Sequence, residues 1–140
     1  MVSATFSVSM TNTLLMITEH SGGAAISALD VTAVGSGATG HPLTAAFTTN
    51  QADEAFICMV GAIANSDVFA PGPGYTERLD PTRGYVEDQF VSVLQTNSGA
   101  ATAADSTQRW QAIVATFKAA TAGAVVAAAV LDESFITVTF

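Results

Sequence analysis

Cys58, His20 and His41 are the residues with which nucleophilic catalysis would have to begin. A catalytic Ser or Cys needs a base beside it and a carboxylate to orient that base. Cys58 lies inside residues 55–64, one of the two longest apolar stretches, where a thiol reads as a small buried hydrophobe. His20 and His41 border glycine loops and have no HxH or HxxxH companion of the kind zinc needs, so they read as solvated loop residues. Twelve acids make a carboxylate pair of the glycosidase kind available anywhere, which gives it no specificity. Asp53-Glu54 and Glu87-Asp88 are adjacent pairs. Neighbours on a strand point to opposite faces, so neither pair is itself a dyad, and both read as solubilising charges at strand ends. Asp80, Glu87 and Asp88 offer hard oxygens around a Gly-containing turn but match no calcium-loop spacing. Residues 35–40 are glycine-rich but lack the lysine and helix of a phosphate cradle. No catalytic set, metal site or cofactor is expected, because general acid–base work needs a recognisable pair of tuned groups.

Aromatic residues are the remaining chemical handle. Phe69, Tyr75 and Tyr85 cluster around the Pro71-Gly72-Pro73-Gly74 loop and the turn after it. With Glu77, Arg78 and Arg83 they make a candidate loop or partner surface. The rings read either as a cap on the end of a core or as a platform on which sugars stack.

The elements that would position these residues are strands. Residues 2–10 alternate apolar and polar with strict period two, as a half-buried strand does. Residues 14–18 are a continuous apolar run of strand length. Over residues 26–34, Leu29, Val31 and Ala33 are expected on one face and Asp30 and Thr32 on the other. Residues 35–42 read as a flexible loop and 43–49 as a short strand. Residues 55–64, bounded by turn signals and rich in β-branched and aromatic side chains, are the best candidate for a central strand. Strands follow over residues 75–79 and 85–95, then a small-residue loop over 96–107. Residues 108–119 alternate, with Trp110, Ala112, Val114 and Thr116 facing one way and Ile113, Ala115 and Phe117 the other. Residues 120–131 are Ala-rich and fit helix or strand, and residues 133–140 alternate cleanly. About nine strands with closely spaced turns and no amphipathic helix predict an all-β fold, an antiparallel β-sandwich or jelly roll.

The 140 residues are 49% apolar and 11% charged, with a net charge of −8. Such a chain can bury a real core and is not disordered. Four cations, all from Arg78 onward, rule out a phosphate-neutralising patch, so no nucleic acid partner is expected. One cysteine rules out a disulfide scaffold. The N-terminus shows no signal-peptide pattern, and each long apolar run is about half of the roughly 20 residues a membrane helix needs, so no membrane partner is expected. An ordinary domain is about 25% charged. Here Ala, Thr, Ser, Gly and Asn take the place of the missing charge, a composition suited to a protein packed against others.

Three segments resemble a known pattern. Glu19-His20-Ser21-Gly22 followed by Ala28-Leu29-Asp30-Val31-Thr32-Ala33 is similar to an "E-Y-S-G … l-D-v-t-a" stretch. The segment from Ala70 to Arg78 is similar to "P-x-G-Y-T-E-R", and that from Arg109 to Lys118 to "W-A-A-I-A-V-A-F-K". In this order they resemble β-sandwich modules of phage structural proteins and bacterial surface proteins, over residues 4–120. The motifs are structural, so the resemblance implies a fold and a setting but no active-site residue. Those modules usually carry further strands before the segment matching residues 4–9. Here a C-terminal extension is expected instead: residues 1–120 form the sandwich domain, and residues 121–140 end in a strand. Phe135, Ile136, Val138 and Phe140 are its candidate edge contacts. That strand completes either its own sheet or a neighbour's, and an exposed edge of this kind favours homo-oligomers.

The expected function is that of a non-enzymatic virion structural protein. Most concretely, it would be a phage capsid decoration (cement) protein or a tail-associated module, bound to capsid or tail subunits and sister protomers. The alternative is a carbohydrate-binding or adhesin module, extracellular or at a cell surface, with Phe69, Tyr75 and Tyr85 as its platform.

Overall fold

A computed structural model describes residues 7, 16–24, 26–63, 68–97, 102–103, 109–120 and 128–129. The expected strands over residues 2–10 and 133–140, and with the latter Phe135, Ile136, Val138 and Phe140, lie outside these apart from Ser7.

The described residues contain no helix, and every strand pairing is antiparallel. The strands are β1 (Glu19–His20), β2 (Leu29–Gly37), β3 (Phe47–Thr48), β4 (Glu54–Ala62), β5 (Phe69–Ala70), β6 (Thr76–Leu79), β7 (Gly84–Val91), β8 (Thr96–Asn97), β9 (Thr102–Ala103), β10 (Trp110–Lys118) and β11 (Ala128–Ala129). One five-stranded sheet has the order β2-β10-β4-β7-β6. The apolar run chosen as the central strand, β4, occupies its middle. Three two-stranded ribbons, β1–β11, β3–β8 and β5–β9, accompany it. The fold is an all-β sandwich.

The core lies on one face of the large sheet. Val60 and Cys58 of β4 meet Ala112 and Val114 of β10 and Tyr85 and Glu87 of β7 in direct register. Phe47 of β3 and Phe69 of β5 close over them. Phe47 meets Phe56 edge-on with centroids 5.2 Å apart, and Phe69 meets Tyr85 at 5.6 Å. Full burial of each such ring contributes roughly 1.5–3 kcal/mol. Strand β10 alternates as expected, with Trp110, Ala112, Val114 and Thr116 buried and Gln111 and Ile113 exposed.

Several expectations need correction. Residues 16–18 form no strand, the strand expected over 85–95 ends at Val91, and the loop expected over 96–107 contains β8 and β9. Residues 35–37 are not part of a flexible loop; they continue β2. The faces of β2 also differ from simple alternation. Thr32 pairs with Ala115 and Leu29 with Phe117, so Asp30 and Val31 together oppose Thr116. This β-bulge turns the Asp30 side chain inward, where it is 2% exposed, and leaves Leu29 outside. Period two holds only while the pairing is one to one.

The turns follow their residues. Pro73 and Gly74 hold the corners of a turn closed by Tyr75 N–H donating to Gly72 C=O at 2.9 Å, with Gly74 at φ 82°. That is a type II turn, which wants Pro second and Gly third. After β6, Gly84 N–H donates to Pro81 C=O at 2.9 Å with Arg83 at φ 71°.

Candidate functional site

Glu54, Glu87 and Asp88 are almost completely buried, not solubilising charges at strand ends. Their strands run through the middle of the sheet. Each stands on a different local device.

Glu87 faces the core directly opposite Cys58. Its Oε2 accepts the Gly72 N–H at 2.7 Å, which ties the Pro-Gly loop to the sheet. Burial first, then the Glu87 charge, pushes the Cys58 thiol far up, so it stays protonated. Burial likewise pushes up the Tyr75 phenol, with the Glu87 charge adding to it.

Asp88, the next residue, points to the opposite face. A second bulge, between Glu77 and Leu79 of β6, leaves Arg78 without a partner in the ladder. Its Nε donates to Asp88 Oδ2 at 2.8 Å. His20 of β1 also meets this oxygen, with Nδ1 3.9 Å away. His20 is therefore not a solvated loop residue; its side chain is 13% exposed, and both ring nitrogens are buried. Burial lowers its pKa, Asp88 opposes this, and Arg78 adds to the lowering. His41 is exposed, as expected.

Glu54 opens β4 at the other end of the sheet, directly opposite Lys118 of β10. Asp30, turned inward by its bulge, completes the group. Lys118 Nζ stands 3.3 Å from Asp30 Oδ1. The Asn50 backbone N–H donates to Asp30 Oδ2 at 2.8 Å, and Asn50 Nδ2 donates to Oδ1 at 3.2 Å. Burial would raise the Asp30 pKa, but the Asn50 N–H, Glu54, the Asn50 amide and Lys118 together hold it below its ordinary value. Glu54 goes the other way. Burial pushes it up to about 7, with Thr116 and Lys118 opposing and Asp30 adding. As an ion Glu54 has no donor in full hydrogen-bond geometry, whereas as a neutral acid it can donate to Asp30. Two carboxyl groups whose surroundings drive them apart, beside an amine, are the arrangement in which one holds a proton while the other is ionised.

The candidate loop surface divides. Phe69, Tyr75 and Tyr85 are buried in the core, the first two 4% and 7% exposed and the third fully enclosed. They therefore offer no face on which a sugar could stack, a correction to the platform reading. Strand alternation and the Glu87–Gly72 tether point them inward. Tyr85 donates its hydroxyl to Glu77 Oε2 at 3.2 Å. Glu77 is exposed, while Arg78 and Arg83 are half-buried.

The opposite face of the large sheet was not singled out from sequence. One row across it runs Val34, Ile113, Met59, Val86 in direct register. Burial falls steadily toward the β2 edge: Val86 is buried, Met59 half-buried, Ile113 46% exposed and Val34 65% exposed. Leu29 lies outward on the same strand, and Thr32, Ser36 and Gln111 surround the row. None of these outward residues is charged, in a chain of net charge −8.

No family model matches this chain, and no curated protein or solved structure is significantly similar to it.

Proposed function

We propose that this chain is a non-enzymatic structural protein of a virus-like particle, a phage capsid decoration protein or tail-associated module. It acts by packing against capsid or tail subunits and sister copies. The observation that carries this reading is the uncharged outward face of β2 and β10, with Val34 and Ile113 side by side and exposed. A chain with this net charge repels its own copies everywhere except through a neutral patch. Strand β2 is the last strand of the large sheet and carries a single charged residue, Asp30, which is turned inward; its outer edge is partly covered where Ala45 N–H donates to Val34 C=O at 3.0 Å. The resemblance read from residues 4–120, to β-sandwich modules of phage structural proteins and of bacterial surface proteins, is compatible with this setting. The buried rings of Phe69, Tyr75 and Tyr85 leave the carbohydrate-binding alternative without its platform.

Size-exclusion chromatography with light scattering, together with the genes flanking this one, tests the reading. Self-association that is lost in the Val34→Asp, Ile113→Asp double variant, with the gene beside capsid or tail genes, is the expected result. A monomer at high concentration, encoded away from such genes, would sink it.

A further inference from the structure

We propose that Lys118 and Asp30 become joined by an intramolecular amide bond, formed beneath Glu54, which covalently ties strand β10 to strand β2. This modification site is independent of the role in a particle.

Three observations place the reactants. The bulge in β2 turns Asp30 inward, and its carboxylate is 2% exposed. Lys118 Nζ stands 3.3 Å from Oδ1, an ion-pair distance that holds the amine beside the carboxyl group whose carbon it would attack. Glu54, directly across the ladder from Lys118, is 1% exposed, and no donor reaches its oxygens in full hydrogen-bond geometry. A carboxyl so placed is unexplained as an ion. As a neutral acid beside an amine and a carboxylate it has an evident use. Holding the Asp30 carboxyl by two Asn50 hydrogen bonds fixes the carbon that must be attacked.

The chemistry balances without any oxidant or outside reactant. Asp30 and Lys118 rest as an ion pair; the reactive form is the minor neutral pair, reached when Glu54 hands its proton to the Asp30 carboxylate and takes one from the Lys118 ammonium. The nitrogen lone pair attacks Asp30 Cγ, forming the C–N bond while the carbonyl electron pair moves onto oxygen. Glu54 gives its proton to the departing hydroxyl. The C–O bond breaks, one water leaves, and the nitrogen returns a proton to Glu54, which ends as it began. In bulk water the reverse reaction competes through the solvent. Here the Asp30 and Glu54 carboxyls are shielded while Lys118 is 29% exposed, so the advantage over bulk water rests on the reactants being already oriented.

Intact-mass measurement of the folded full chain after incubation at neutral pH is the test. The expected result is a mass about 18 Da below that of the sequence, the loss of one water. Trypsin should then leave residues 1–78 joined to residues 110–140, because acylated Lys118 is not cleaved. Lys118→Arg keeps the charge but lacks the nucleophile, and should have the full mass. Glu54→Gln keeps the shape but cannot act as the acid, and should slow the loss at least tenfold. Full mass in the folded wild-type chain overturns the proposal. So does a deficit that persists in Lys118→Arg, or a loss of about 17 Da, which would mark ammonia leaving an amide instead. Should Glu54→Gln fail to fold, the wild-type mass and Lys118→Arg decide the matter alone.

Discussion

The indole of Trp110 lies directly against Gly37: a Cβ built on Gly37 would stand 2.6 Å from the ring, and the indole Nε1–H donates to Thr39 C=O at 3.1 Å. The pair closes the end of the core where β2 and β10 meet. Gly35 has an even closer neighbour, with a Cβ there standing 1.9 Å from the Leu43 carbonyl oxygen. Both are sites where a side chain cannot be added without moving something.

Gly37→Ala should therefore cost about 1–3 kcal/mol, the usual cost of overpacking, because the Trp110 ring must shift. Gly35→Ala should cost at least as much, since the obstacle there is backbone. Urea unfolding of the two variants checks both, and near-wild-type midpoints would contradict the packing described.

The part of the stability that Glu54 supplies should fall as the pH rises from about 5 to about 7, while His20, whose pKa folding lowers, pulls the other way as the pH rises toward its ordinary value of 6.5. Folding raises the pKa of Glu54 from its ordinary value of 4.5 to about 7. Between those values the folded chain holds a proton that the unfolded chain has released. The stabilisation is complete below 4.5 and lost as the pH passes through 7. Its full size is about 3 kcal/mol, at 1.36 kcal/mol per unit. The measurement is best made in Lys118→Arg, where a cation stays beside Asp30 and no amide can form. Glu54→Gln in the same background should remove the falling component and leave the rise that His20 supplies, and an unchanged slope would count against the Glu54 assignment.

Cys58 should resist alkylation in the folded chain and react at once on unfolding. The thiolate is the nucleophile, and here burial and the Glu87 charge both suppress it. Iodoacetamide labelling with and without denaturant reads this directly. Rapid labelling of the native chain would show that the β4–β7 core face opens.

Much of the fold was legible in the sequence. The apolar run around Cys58 announced a central strand because a strand covered on both faces needs no polar alternation. Strand β10 announced its two faces because its ladder with β4 is unbroken from Trp110 to Lys118. The site was far less legible. Alternation assigned Asp30 to the wrong side because it cannot see a bulge, whose cause lies in the partner strand. Glu54, Glu87 and Asp88 looked like surface acids because their compensating groups come from distant positions: Lys118, the Gly72 amide and Arg78. Buried acids are betrayed by their neighbours in space, and one sequence does not print those. The outward Val34–Ile113 row was also missed, since alternation shows that a strand has two faces but not which of them is covered.

The bulge opposite Thr116 makes the chemistry of this sheet a question of parity. With one residue fewer between Leu29 and Thr32, the ladder would close, and Lys118 and Glu54 would face each other with no inward Asp30 between them. With the odd residue in place, a strand that otherwise obeys the even–odd rule hands one carboxylate to the interior. A search for the same arrangement in other sandwiches must therefore count residues across the strand pair, and accept a match only where the count comes out uneven.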